Sequence, residues 1–218
     1  MYLDLHTHSV SSDDSRANVE QYVKWIGVLR KKGHQIDGFV LTEHRKFDFD
    51  KDYSELGSEN GVLILEGSEL DTDMGHFLVY GVTEELTERV DFSNVHMGAS
   101  KLVEAAEETG AIAIPAHPGR FGIGLSEFTG DGKDFSVLRA AERFNGSNRP
   151  GEQERAEELI TKLGLPSTGG SDAHLVSAIG KCMTRFDGEV ASELDLVAQL
   201  KTGAFEPVWL DDTKQEQQ

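Results

Sequence analysis

The chain begins Tyr2-Leu3-Asp4-Leu5-His6-Thr7-His8, and in an extended strand alternate side chains share a face, so both imidazoles aim at one spot. Two neutral imidazoles converging this way suit a divalent transition metal. Alone, a His-x-His pair is a weak signal, equally a pair of core-edge histidines. The same pattern then recurs along the chain. Phe39-Val40-Leu41 runs into Thr42-Glu43-His44, the apolar stretch 62–65 into Glu66-Gly67-Ser68-Glu69, and 111–114 into Pro115-Ala116-His117. His76 opens a further apolar run, and Asp172-Ala173-His174 repeats the alternate-residue spacing. The single cysteine, Cys182, excludes an intrachain disulfide and a thiolate zinc site, so any metal is held by nitrogen and oxygen. Such a donor set fits Zn, Mn or Fe, ions that polarise esters and deprotonate water near neutral pH.

Regular elements must carry these groups to one place. Val19, Tyr22, Val23, Ile26 and Leu29 recur at helical spacing until Gly33. Residues 48–61 are charged and weakly helical, 84–89 suffice for one helical turn, and a helix over about 99–109 is closed by Gly110. Residues 140–145 read as a strand. Residues 152–163 read as a helix with Ala156, Leu159, Ile160 and Leu163 on one face, and 165–170 lead into Asp172. Ser192 with Asp195 starts a last helix carrying Leu194, Val197 and Leu200, before Pro207-Val208-Trp209. The glycine-rich stretch 119–134 is a loop and a candidate lid. Strand 76–80 is a candidate to run antiparallel to the rest. The alternation otherwise predicts a parallel sheet with helical crossovers, and closing it into a barrel gathers the strand ends around one mouth. An open doubly wound sheet would spread them along a crevice, and no Gly-x-Gly-x-x-Gly follows the first strand. One α/β domain over 1–210 is expected, with a polar, disordered tail at 211–218.

At 218 residues, 38% hydrophobic and 28% charged, the composition excludes wholesale disorder. No apolar run approaches the roughly 20 residues that span a bilayer, so no membrane partner is expected. The 39 acidic against 21 basic residues give a net charge of −18, which repels polyanions and argues against general nucleic-acid binding in favour of a small substrate. The start of the chain has no basic-then-apolar segment, and the cytoplasm is the expected location.

With these blocks in hand, the chain resembles the PHP-domain (polymerase and histidinol phosphatase) family of metal-dependent phosphoesterases. The resemblance rests on DLHTHSVSSD at 4–13, LTEH at 41–44, EGSEL at 66–70, His76 opening its strand, PAHP at 115–118 and GGSDAH at 169–174. It implies a distorted (β/α)7 TIM-like barrel and two or three divalent ions. By position it implies His6, His8, Glu69 and Asp172 around one metal, and Glu69, His76 and His117 around a second, with Glu69 bridging. Asp13, His44 and His174 would hold a third, with Asp14 as the alternative to Asp13. Glu43 stands where the family has aspartate and is placed behind the ligands. Glu142 and Asn145 match the family's Glu-x-x-Asn strand in a supporting role.

A locally cationic pocket in an acidic protein suits a phosphate group, and guanidinium forks match phosphate geometry, which makes Arg45, Arg120 and Arg149 the candidates for positioning it. Arg120 is preferred for its closeness to His117. His34 and His96 are read as surface residues. The expected activity is hydrolysis of a small phosphomonoester (a nucleotide, sugar or amino-alcohol phosphate) by a metal-bridging hydroxide. The competing readings are a phosphodiesterase or exonuclease on short oligonucleotides, an amidohydrolase-type hydrolase, and a non-catalytic metal-stabilised binding module. The sequence carries no expectation for oligomeric state.

Overall fold

Leu3 and Leu5 alternate with Asp4 and His6 along Tyr2–Thr7, and the strand they form, β1, is buried from Leu3 onward. The structure, a computed structural model, describes residues 1–130 and 135–214. β2 (Gly38–His44) and β3 (Leu63–Thr72) add to β1 in parallel, β4 (Gly75–Tyr80) turns back antiparallel on β3, and β5 (Ile112–Pro115) is antiparallel to β4. β5 therefore regains the direction of β1. A parallel pair, β6 (Ala141–Asn145) and β7 (Ser167–Gly170), follows, then β8 (Cys182–Phe186) antiparallel to β1 and β9 (Phe205–Trp209) antiparallel to β8.

Of the expected (β/α)7 TIM-like barrel, this topology shows the α/β fold and a curled sheet without full closure. The larger sheet has seven strands in the order β5-β4-β3-β2-β1-β8-β9 and curls into a half-barrel, with β6-β7 as a separate two-stranded sheet. One hairpin, β3–β4, and antiparallel pairing of β4 with β5 and of β8 with β9 across helical connections break the parallel pattern. The β3–β4 turn needs Gly75, whose φ is +95° and where a Cβ would lie 2.3 Å from the Ile123 carbonyl oxygen. The β8–β9 pair occupies the flank of β1. Past the strand ends, the Asp172 N–H donates to the His6 carbonyl at 2.7 Å and the His8 N–H to Ala173 at 2.9 Å, tying the end of β7 to the end of β1.

Alternation divides the core. Phe39 and Leu41 of β2 pack on α1 (Val19–Lys31) through Tyr22, Val23 and Ile26, while Val40 faces Leu3, Leu5 and Leu65. α2 (Ser54–Asn60) and α3 (Glu84–Arg89) are short; α4 (Ala99–Glu108) covers Phe77 and Val79 of β4 through Leu102 and Ala106. α5 (Glu152–Leu163) follows β6, and α6 (Glu193–Thr202) buries Leu196, Val197 and Leu200 against Leu78 and Tyr80. Asn18 and Gln21 form a capping box on α1, and the Ser192 hydroxyl caps α6 from the Asp195 N–H. Leu194, expected inward, is 73% exposed.

The stretch 119–130 is bound down rather than a free lid. Arg120 N–H donates to His117 O at 2.9 Å, Ser126 N–H to Pro118 O at 2.9 Å, and Ile123 O accepts from His76 N–H at 3.3 Å. The rest of that loop, 131–134, lies outside the described residues. His34 is buried, its Nδ1 3.0 Å from the Leu210 carbonyl, which corrects its reading as a surface residue. Of the tail, residues 211–213 belong to a 3-10 turn with Thr213 buried, and 215–218 lie outside the described residues. Among the described residues, no helix is long and apolar enough to cross a membrane.

Candidate metal centre

The strand ends deliver their polar residues to one mouth. His6 and His8 leave the end of β1 on the same side and are both fully buried, Glu69 stands on β3, His76 opens β4 beside it, and His117 and Asp172 lie just past β5 and β7. The backbone bends to do this. Among the described residues, Arg45, His117 and Asp172 are the non-glycine residues with positive φ, at +54°, +26° and +52°. Each such conformation costs on the order of 1–3 kcal/mol and persists where surrounding bonds enforce it. Those bonds are present: Arg45 N–H to Glu69 O at 2.8 Å, His117 N–H to Glu142 Oε2 at 2.6 Å, and Asp172 N–H to His6 O at 2.7 Å.

Glu69 is the hub. Its Oε2 lies 3.2 Å from both His6 Nε2 and His8 Nε2 and 3.1 Å from His44 Nδ1, while its Oε1 lies 2.9 Å from His76 Nδ1 and 2.8 Å from His117 Nε2. His6 Nε2 and His8 Nε2 are 3.1 Å apart, and Asp172 Oδ1 stands 3.6 and 3.5 Å from them. Three sets can each close on one ion: His6, His8 and Asp172; Glu69, His76 and His117; and His8, His44 and His174. An ion about 2.1 Å from each of four tetrahedral ligands spaces them roughly 3.4 Å apart, close to what the first set shows. Buried imidazole nitrogens facing one another across two carboxylates fit a cation between them.

Without an ion, protons fill that role. Burial opposes charge on His6, but Glu142, Asp172 and Glu69 override it and hold its pKa well above the ordinary value. His8, desolvated yet bonded to Asp172 and Glu69, is pushed up to about 9. Burial would raise Glu69 and Asp172, but the imidazoles around them hold both well below the carboxylate range. His117 is lowered, chiefly by burial.

A second layer fixes the rings. Glu142 Oε1 holds His6 Nδ1 at 2.9 Å, which leaves Nε2 as the ligand nitrogen, and Glu142 Oε2 also accepts from Asn145 Nδ2 at 3.0 Å. Glu43 accepts from Ser9 N–H at 3.0 Å and from the Ser12 hydroxyl, pinning the turn behind His8. His174 Nδ1 lies 3.0 Å from the Asp172 carbonyl, turning Nε2 outward.

The sequence reading placed Asp13 with His44 and His174. Asp13 is exposed, and it is Asp14 whose Oδ2 lies 3.4 Å from His44 Nε2 and 3.3 Å from His174 Nε2. The turn after Ser12 aims the carboxylate of the second aspartate, itself 60% exposed, at these two imidazoles, which counting residues past His8 does not reveal. Of the arginines, Arg120 reaches the centre, its Nη2 2.6 Å from Asp172 Oδ2 and 3.1 Å from Asn145 Oδ1. Arg45 stands at the edge, 46% exposed, with Nη1 3.6 Å from Asp71 Oδ2. Arg149 is exposed; its backbone N–H, rather than its side chain, is what binds, donating to Glu152 at 2.7 Å. A hollow of about 170 Å3 lined by Ser12, Asp13, Asp14, His44, Arg45 and Lys46 opens beside this centre.

Asp71 was missed from sequence, although two residues past Glu69 on one strand places it on the same face. Its Oδ1 lies 3.1 Å from His76 Nε2, so it settles the tautomer that leaves Nδ1 for a metal. Asp71→Asn is expected to weaken metal affinity at the Glu69, His76 and His117 set by about 10- to 100-fold, as read by competition titration against a chromogenic chelator.

The comparisons with known proteins fall in line with this geometry. No curated protein sequence matches the chain. PsfC from Pseudomonas syringae is 21% identical, with a TM-score of 0.65 over 97% of this chain and 92% of that one. A two-domain protein from Bacteroides vulgatus containing a predicted PHP-like metal-dependent phosphoesterase is 19% identical, with a TM-score of 0.61 over 97% of this chain and 65% of that one. A lesion-specific endonuclease from Pyrococcus furiosus is 16% identical, with a TM-score of 0.66 over 94% of this chain and 57% of that one. Identities this low speak to the fold alone. The family profile described as PHP-associated matches residues 150–205, the stretch that holds α5, β7, Asp172 and His174. By that match and that shared fold, the chain is similar to proteins of the PHP-domain family.

Proposed function

We propose that the chain is a metal-dependent phosphoesterase acting on a small phosphomonoester such as a nucleotide, sugar or amino-alcohol phosphate. The observation that carries this reading is the convergence of three candidate ligand sets on and around Glu69, with Arg120 bonded to Asp172 at their rim. Two or three divalent ions (Zn, Mn or Fe) bound there would polarise phosphoryl oxygens and supply hydroxide at neutral pH. His6, His8, Glu69 and Asp172 would hold one; Glu69, His76 and His117 a second; His44 and His174, with Asp14 in place of Asp13, a third. Arg120 touches Asp172 with Nη2, and its remaining N–H groups can take phosphoryl oxygens as a fork. Arg45 beside Asp71, and the exposed Arg149, stand as outer contacts for the rest of the substrate. A net charge of −18 favours a compact anion over a long one, since repulsion grows with each added phosphate.

The test is release of inorganic phosphate from a panel of monoesters by protein loaded in turn with Zn, Mn and Fe. Turnover is expected with at least one metal, and silence with all three sinks the reading. A second reading, phosphodiester cleavage, draws on the likeness to the Pyrococcus endonuclease. Faster turnover of a dinucleotide than of a nucleoside monophosphate would favour it; the expected order is the reverse.

A further inference from the structure

The first turns of α5 grip the segment that carries Arg120. The Glu152 side chain is 1% exposed, and its two oxygens serve two different loops: Oε1 accepts from the Phe121 N–H at 3.1 Å and Oε2 from the Arg149 N–H at 2.7 Å. Gly119 lies so close to the helix that a Cβ there would sit 1.9 Å from the Glu152 carbonyl oxygen and 2.6 Å from Ala156 N. On the far side of Arg120, the Arg155 guanidinium stacks over the Phe121 ring at 4.5 Å and reaches Glu127 Oε1 at 2.6 Å. The chain is thus fastened to α5 both before and after Arg120. Arg120 itself spends Nη2 on Asp172 and Asn145, and among the described residues Nη1 and Nε have no hydrogen-bond partner.

We infer that Glu152 is a positioning residue: by seating the residue after Arg120, it preorganises that guanidinium beside Asp172 to receive an oxygen of the phosphoryl group. The inference rests on the phosphoester reading above. Freezing a long, rotamer-rich side chain before the ligand arrives removes an ordering cost that binding would otherwise carry. Glu152 also sits at the start of α5, where a carboxylate favours the helix dipole whatever the site does. A test must therefore separate an effect through Arg120 from an effect on the helix.

Inorganic phosphate binding to the Mn-loaded full chain, measured by calorimetry, makes that separation across wild type, E152Q, R120A and the double variant. A glutamine amide keeps one acceptor and turns a donor toward the other N–H. E152Q is expected to bind phosphate about ten-fold more weakly with Mn content unchanged, and the double variant no more weakly than R120A alone. Wild-type affinity in E152Q, or a full second loss on the R120A background, overturns the positioning role and leaves the phosphoester reading standing. Wild-type protein that binds no phosphate overturns both. Where E152Q does not fold, E152D, which keeps the charge and retracts the acceptor by one methylene, is read by the same criteria.

Discussion

Glu69→Gln is expected to strip most of the bound metal and to lower phosphoester turnover by about a thousand-fold or more. A group one layer behind a ligand is already worth about 10- to 100-fold in metal affinity. Glu69 serves two ligand sets at once, with Oε2 on His6, His8 and His44 and Oε1 on His76 and His117. Glutamine keeps one neutral oxygen and replaces the other with an NH2 group, which has no lone pair for a metal and points donors at imidazole nitrogens. One set then loses its only shared anion and the other keeps a weaker ligand. The fold should survive, because the strand pairing of β3 with β2 and β4 runs through backbone groups that the change leaves alone. Metal per chain by elemental analysis, turnover and a melting curve are the three readouts. A variant with full metal content and turnover within ten-fold of wild type would show that Glu69 is not the bridge.

Much of this centre is legible in sequence because a strand that ends at a mouth writes its ligands in order. His6 and His8 share a face by the period of two, and apolar runs before Glu69 and His117 mark buried strands ending in polar groups. The barrel was less legible. A period-two pattern says that residues are extended, not which neighbour they pair with; strand 76–80 is nonetheless antiparallel as expected, whereas the antiparallel β8–β9 pair has no such expectation behind it. β8 hides for a local reason: Cys182, Met183 and Phe186 are buried, but the run is broken by Thr184, whose buried hydroxyl exchanges bonds with Gly169, and by Arg185. Loop residues are harder still. Asp13 and Asp14 differ by one position in a turn, and which one faces His44 depends on how Ser9 and Ser12 bind Glu43, a contact between segments more than thirty residues apart. Glu152 carries no motif, and its role appears once Phe121 and Arg149 are seen to meet on it.

Removing the metal should reverse the sign of the pH dependence of stability. In the metal-free chain His8 is fully buried and titrates at about 9, against an ordinary value of 6.5. A histidine with a raised folded pKa adds stability that is fully present below pH 6.5 and is lost as pH rises through 9. For His8 this amounts to on the order of 3 kcal/mol, and at roughly 2–4 °C per kcal/mol for a chain of this size the melting temperature should fall by about 6–12 °C across that window. The raised carboxyls of Asp4 and Glu66, at about 6 and 7, lose their share mostly at lower pH, so the alkaline end of the window reports on the histidines, His8 together with the likewise raised His6 and His76. In the loaded protein the same nitrogen must give up its proton to bind, so acid competes with the metal and stability rises with pH over the same range. Free metal at a thousand times its dissociation constant adds about 4 kcal/mol, enough to outweigh the proton's contribution. Melting curves at pH 6.5 and 9, with chelator and with Mn, read both slopes. Opposite signs support a cation-binding cluster in which protons and metal compete for one set of lone pairs, whereas parallel slopes would mean that these imidazoles are structural and no ion occupies the space between them.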